Sequence, residues 1–150
     1  MQATKRAISK SVMLLDSITD NSKFEIVREE LGDELIALVH FVGDIYARMS
    51  SSNVWQDMLG DDKGLILAFA YLNNQIKHDL NLEFISYEVN EARFPMSFPF
   101  RFGQPGACWS NFKDHGQSRK AKREYYEIFL MHKDIRCTLL NLAEVLDRYN

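Results

Sequence analysis

The chain has 150 residues, of which 46% are hydrophobic and 26% are charged, and its 18 Lys+Arg and 21 Asp+Glu give a formal net charge of -3. This length suits one domain with one apolar core. The charge excludes a basic field over the whole protein, so any nucleic-acid binding must be local. We therefore predict a single domain over residues 1–150.

No apolar run approaches the about 20 residues that span a bilayer, and the first six residues lack the apolar core of a signal peptide. Cys108 and Cys137 form neither a disulfide framework nor a C-x-x-C pair, which suits a reducing compartment. These features predict a soluble cytoplasmic protein with no membrane partner and with two buried thiols.

The first half of the chain has the apolar spacing of helices. Residues 4–18 carry apolar side chains at intervals of three and four, which predicts a first amphipathic helix. Residues 24–31 lead through Gly32 into a longer periodic segment that begins with Asp33 and Glu34 and extends to Met49. Gly32 either caps a boundary between two helices or lies inside one helix, and the sequence leaves both alternatives open.

A further helix is predicted after the break at residues 50–53. Asp61 and Asp62 are suited to its first turn, and we expect it to end near His78. Its core stripe consists of Leu65, Phe69, Leu72 and Ile76.

The period then changes to that of a strand. In residues 94–102 every even position is apolar, and two prolines make this an edge strand or an extended segment. We expect residues 82–89 to supply its partner strand through a turn at 90–92. A second turn is predicted at 103–106, followed by a third short strand at 107–109.

Residues 118–149 form the longest periodic run and predict one long helix. About 30 residues would reach about 45 Å, which exceeds the need of a small core, so we predict that part of the helix packs against a second copy in a homodimer. The predicted fold is mainly α: a bundle of four to five helices with a small β-hairpin or meander insertion at about 82–110 before the long C-terminal helix.

The helix predicted to end near His78 is most polar in its last turn, at residues 73–78. Asn74 and His78 are four residues apart and share a face, with Lys77 beside them and Asn73 one step round. A histidine near a lysine and two amides can hold a phosphate and act as a general acid or base. Alternatively, Lys77 and His78 only complement the helix dipole and cap its last carbonyls.

The residues Tyr71-Leu72-Asn73-Asn74-Gln75-Ile76-Lys77-His78-Asp79 resemble the signature of the HEPN superfamily. The resemblance covers residues 33–149 in outline. It implies a small helical bundle, often dimeric, of bacterial or phage defence or toxin–antitoxin type, with metal-independent ribonuclease activity in the active members. By this resemblance Asn74 matches the polar motif position and His78 matches the histidine. Asn73 stands where the family has arginine, and Lys77, Arg93 and Arg101 are candidates for the missing charge.

A basic cluster lies at the start of the last predicted helix and consists of Lys113, His115, Arg119, Lys120, Lys122 and Arg123. Cations oppose the dipole at a helix N-terminus, so this placement favours an anionic ligand or plain exposure to solvent. With Trp109 and Phe112 nearby, the cluster could bind an RNA backbone and stack a base. The alternative is a solvated helix start in which Arg123 pairs with Glu127. The candidate RNA-binding residues are Trp109, Arg119, Lys120, Lys122 and Arg123.

No histidine or cysteine pair has zinc-ligand spacing, and neither a nucleophile elbow nor a glycine-rich phosphate loop is present. We predict no metal site and no cofactor. The leading hypothesis is a dimeric HEPN-like protein that binds or cleaves RNA or a nucleotide in a polar dimer cleft, with Asn73, Asn74, Lys77 and His78 as catalytic candidates. A cognate protein partner is also expected for a toxin–antitoxin component. The alternative is a non-catalytic dimeric interaction module.

Overall fold

The computed structural model describes residues 1–78, 80–89, 105–115 and 120–150, without the side chains of residues 89, 105 and 120–122. The predicted mainly helical fold with a small β element before the C-terminal helix is confirmed. The helices are α1 (Gln2–Asp16), α2 (Asn21–Met49), α3 (Asn53–Asp57), α4 (Gly60–Lys77), α5 (Lys120–Phe129) and α6 (Ile135–Arg148), and the strands are β1 (Ile85–Val89) and β2 (Pro105–Trp109).

The first two helices form an antiparallel pair. The Asp20 side chain accepts a hydrogen bond of 2.9 Å from the Lys23 amide, which caps the start of α2. Gly32 lies inside one continuous helix, so the two-helix alternative is wrong. A β-carbon at Gly32 would overlap the Leu82 side chain, so glycine permits close packing here rather than ending a helix.

Strands β1 and β2 pair antiparallel, with Ile85 opposite Trp109 and Val89 opposite Pro105. The partner of β1 is therefore the strand predicted at 107–109. The predicted strand at 94–102 and the turn at 90–92 lie outside the described residues. The predicted turn at 103–106 is wrong in its second half, because Pro105 and Gly106 belong to β2.

The prediction of one long C-terminal helix is wrong, because α5 ends at Phe129 and α6 begins at Ile135. Backbone groups between the two helices bond to β2 instead of continuing a helix: His132 N–H donates to Trp109 O at 2.7 Å, and Trp109 N–H donates to Lys133 O at 3.1 Å. His132 has a positive φ of 62°. Asp134 then restarts the helix by accepting from the Cys137 amide at 2.9 Å.

The apolar stripe of α6 is buried within the chain itself. The helix has 14 residues and spans only about 21 Å. The long-helix argument for a homodimer therefore does not apply, although dimerisation stays a prediction. The buried stripe residues are Ile135, Leu139, Leu142 and Leu146.

Helices α4 and α5 are antiparallel neighbours. Gly64, in the first half of α4, has no room for a β-carbon beside the Phe129 ring at the end of α5. Further along α4, the Tyr71 hydroxyl accepts a hydrogen bond of 3.0 Å from Arg123. The start of α5 therefore lies towards the C-terminal end of α4.

Candidate functional site

The two polar segments singled out by the sequence lie at the same end of the bundle. Gln75, inside the polar segment at the end of α4, bonds to the segment 110–115, which leads towards the basic start of α5. Its Nε2 donates to Asp114 Oδ1 at 3.0 Å, and its Oε1 accepts from the His115 amide at 2.6 Å. We refer to the polar residues gathered here as the terminal cluster, which consists of Asn74, Gln75, Lys77, His78, Lys113 and His115.

Gln75 is fully buried, with 0% of its surface exposed. A buried primary amide is stable only when both its donor and its acceptor are hydrogen-bonded. The segment 110–115, which we refer to as the strap, supplies a partner for each. Gln75 was absent from the predicted site residues, although it lies in the motif and shares a helix face with Tyr71, four residues earlier.

Lys77 and His78 are exposed and Asn74 is half-buried, as a solvent-facing site requires. Helix α4 ends here because His78 leaves helical geometry, with φ -104° and ψ 37°, and its amide donates to Gln75 O at 3.0 Å. Within the described part of the chain the His78 ring has no hydrogen-bond or ion-pair partner. The negative end of the helix dipole favours cations at both positions.

The strap adds an exposed Lys113 and an exposed His115 to this end. The His115 ring nitrogen Nε2 lies 2.9 Å from Glu83 Oε2, just before β1. Its neighbour Asp114 directs one carboxylate oxygen at Gln75. The carboxylates of Glu83 and Asp114 thus lie at the same end of the bundle as the cations. Glu83 contacts His115, and Asp114 accepts from Gln75.

The structure does not place Asn73 with the terminal cluster. Its Oδ1 lies 2.6 Å from His40 Nδ1, where α4 crosses α2. Because the side chain bonds to α2, Asn73 does not share the exposed position of His78. Asn73 therefore joins two helices in this structure.

Arg123 is bound internally rather than presented to solvent. Its guanidinium donates to Tyr71 Oη, Asn111 Oδ1 and Phe112 O, each at 3.0 Å. Its Nε lies 3.2 Å from Glu127 Oε1, so the predicted pairing of Arg123 with Glu127 is confirmed. The guanidinium also faces three rings, those of Tyr71, Phe112 and Tyr126, at 5.2–5.6 Å.

The aromatic surroundings change the acid–base properties of this group. Burial by itself lowers the pKa of Arg123, but the hydrogen bonds to Tyr71 and Glu127 leave that pKa raised overall. Burial raises the pKa of Tyr71, against the opposing effect of Arg123. At neutral pH the pair is therefore a charged guanidinium and a neutral phenol, which ties α5 to α4 and to the strap.

Trp109 is fully buried, and its Nε1–H donates to Thr138 Oγ1 at 2.7 Å. Its ring packs edge-on to Phe69 and stacked with Phe84, so this conformation leaves no ring face for an RNA base. The prediction that Trp109 stacks a base does not fit this position. It arose because sequence proximity to the basic cluster does not reveal which side of β2 a residue faces.

The remaining basic candidates are described in part. Lys120 and Lys122 belong to α5, whose start lies near the strap, but their side chains are outside the description. Arg119, Arg93 and Arg101 lie outside the described residues altogether.

In the described residues no group of three histidine, cysteine or acidic side chains could hold a metal ion. Within the same ranges, no helix is both long enough and apolar enough to cross a membrane. No family model, curated protein or solved structure matches this chain.

Proposed function

We propose that the protein is a HEPN-like, RNA-binding helical protein and that its terminal cluster is the RNA contact surface. The observation that carries the proposal is the pair of hydrogen bonds from Gln75 to Asp114 and to the His115 amide. These bonds bring together two segments, about 40 residues apart, that the sequence selected for separate reasons.

The chemistry of the cluster suits a single-stranded backbone. Lys77 and Lys113 are exposed cations on neighbouring segments, and each can contact a phosphate. His78 can donate a hydrogen bond from its ring N–H to a phosphate oxygen. Asn74, one turn before His78 on the same face, adds a neutral donor and acceptor.

Binding has stronger support than cleavage. Asn73 replaces the family's arginine and is engaged with His40, while the Arg123 guanidinium is engaged with the bundle. A ribonuclease reaction needs a group that stabilises the negative charge developing on phosphate. Among the described side chains, Lys77 is the cation nearest in sequence to His78 and can supply this positive charge. Cleavage is therefore our secondary proposal, with His78 as the candidate acid–base group.

The test is binding and cleavage of labelled single-stranded RNA and transfer RNA at low salt, with EDTA and without added metal. We expect the Lys77→Ala, Lys113→Ala double variant to bind more weakly. The slope of log affinity against log salt should fall by about 0.7 for each lost phosphate contact. We expect His78→Ala to weaken binding less and to abolish any metal-independent cleavage.

Arg6→Ala is the matched control. Arg6 is an exposed cation on α1 next to Lys5, which pairs with Asp147 at 2.6 Å. Arg148, one residue later, bonds to Asp62 in the first turn of α4, so Arg6 lies towards the opposite end of the bundle. Equal losses in the control and in the double variant would reject the terminal cluster as the contact surface. Absence of RNA binding by the wild type would favour a non-catalytic interaction module.

A further inference from the structure

The strap is held unequally along its length. Its first half is anchored in the body of the fold: the Ser110 amide donates to Phe84 O at 2.9 Å, and the Tyr126 hydroxyl donates to Ser110 O at 2.7 Å. Phe112 is buried, and Arg123 donates to its carbonyl oxygen. Residues 110–112 are therefore part of the packed structure.

The second half of the strap rests on polar side chains. The His115 amide is bonded to Gln75 Oε1, and Asp114 accepts from Gln75 Nε2 while also lying within hydrogen-bonding reach of Tyr71. Lys113 is exposed above these contacts, and the partly buried His115 ring lies 2.9 Å from Glu83 Oε2. Lys113 thus lies between the packed residue Phe112 and the two residues that bond to Gln75.

Docking of the strap and burial of the Gln75 amide are coupled. If residues 113–115 lift away, Gln75 loses a partner for each end of its amide. Conversely, a residue at position 75 that cannot make both bonds weakens the docked state. Because of this coupling, the side chain at position 75 affects how firmly residues 113–115, including the cation Lys113, dock on α4.

We propose that Gln75 is a positioning residue that latches residues 113–115 onto the end of α4 and so sets the affinity of the terminal cluster for RNA. This inference rests on the proposed RNA-binding function, but the latch itself can be tested without RNA. Gln75 acts through Lys113, which makes the phosphate contact.

The test uses a break and a repair of one hydrogen bond. Gln75→Glu places a carboxylate opposite the Asp114 carboxylate, which removes the donor and adds repulsion. Adding Asp114→Asn restores the hydrogen bond in the reverse direction, because the new amide at position 114 donates to the new carboxylate at position 75. Asp114→Asn alone is the matched control, because its amide oxygen can still accept from Gln75.

The first readout is native-state hydrogen exchange of the His115 amide in the absence of RNA. We expect exchange at least about tenfold faster in Gln75→Glu, and a return towards the wild-type rate in the double variant. Amides in the centre of α2 should keep wild-type rates in all variants, which shows that the fold is intact. Unchanged exchange at His115 in Gln75→Glu would overturn the latch.

The second readout is RNA affinity of the same variants, with Lys113→Ala included. We expect Gln75→Glu to weaken binding about as much as Lys113→Ala, the repair to recover binding, and the two losses not to add when combined. Fully additive losses, or unchanged affinity despite faster exchange, would overturn the positioning role. A wild-type protein that binds no RNA would overturn the proposed function, and the exchange experiment would then decide the latch alone.

Discussion

His40 Nδ1 and Asn73 Oδ1 lie 2.6 Å apart, and this hydrogen bond joins α2 to α4 within the bundle. The Asn73 side chain thus belongs to the contact between the two helices, whereas the neighbouring Asn74 lies on the helix face of His78, four residues later. Two adjacent asparagines thus occupy different environments.

We predict that Asn73→Ala lowers the free energy of unfolding by about 1–2 kcal/mol, because the half-buried His40 ring loses its partner. Asn74→Ala should change it by less than about 0.5 kcal/mol. Urea denaturation of both variants at pH 7.5 measures the difference. Equal effects would show that the bond to His40 contributes nothing particular to stability.

Gly43 lies where α2 passes closest to the same asparagine. A β-carbon there would overlap the Asn73 side chain, while Gly60 at the start of α4 has open space around it. We predict that Gly43→Ala destabilises the protein by about 1–3 kcal/mol, because the well-bonded Asn73 must move. Gly60→Ala should be stabilising by about 0.4–1 kcal/mol. Thermal unfolding of both variants checks the opposite signs, and a neutral Gly43→Ala would contradict the close packing.

Trp109 should report on the core rather than on RNA. The chain has two tryptophans, so Trp55→Phe leaves Trp109 as the sole indole. We predict that its emission is blue-shifted and little quenched by iodide, because the ring is fully buried. Saturating RNA should leave its intensity unchanged. Strong quenching by RNA would instead restore the predicted base-stacking role of Trp109.

The buried Cys108 thiol should make stability fall at alkaline pH. Burial, with smaller contributions from Glu88 and Asp134, raises the pKa of Cys108 to about 12. In the unfolded chain the thiol loses its proton near pH 8.5. Between these values the folded state holds one proton more than the unfolded state, so this stabilising contribution is complete below about pH 8.5 and is lost as pH rises towards 12.

We predict that wild type loses about 1–2 kcal/mol more stability between pH 7 and pH 10 than Cys108→Ala does. Urea denaturation at the two pH values measures this difference. Parallel curves for wild type and Cys108→Ala would contradict the prediction.

Periodicity and end signals in the sequence were sufficient to predict most helices. The interval of three and four selects the buried face of a helix wherever the chain packs on one side. Acidic side chains such as Asp61 and Asp62 are suited to the positive end of a helix, and both lie in the first turn of α4. The stripe of α6 was also readable as a helix face, because its spacing is local.

The sequence pattern does not reveal which distant segment packs against each helix or pairs with each strand. The periodic run from 118 to 149 contains no sequence signal strong enough to predict its break, which forms because β2 takes over backbone bonds of residues 132 and 133. The pairing of β1 with β2 likewise depends on contacts distant in sequence.

The same distinction holds for the candidate site. Helical spacing was enough to predict which polar residues share the end of α4, since positions four apart lie on one helix face. Long-range packing, which spacing does not reveal, bonds Asn73 to α2, surrounds Arg123 with three aromatic rings and bonds Gln75 to the strap. Spacing along a helix sets the direction of a side chain, whereas its hydrogen-bond partner comes from whichever distant segment packs there.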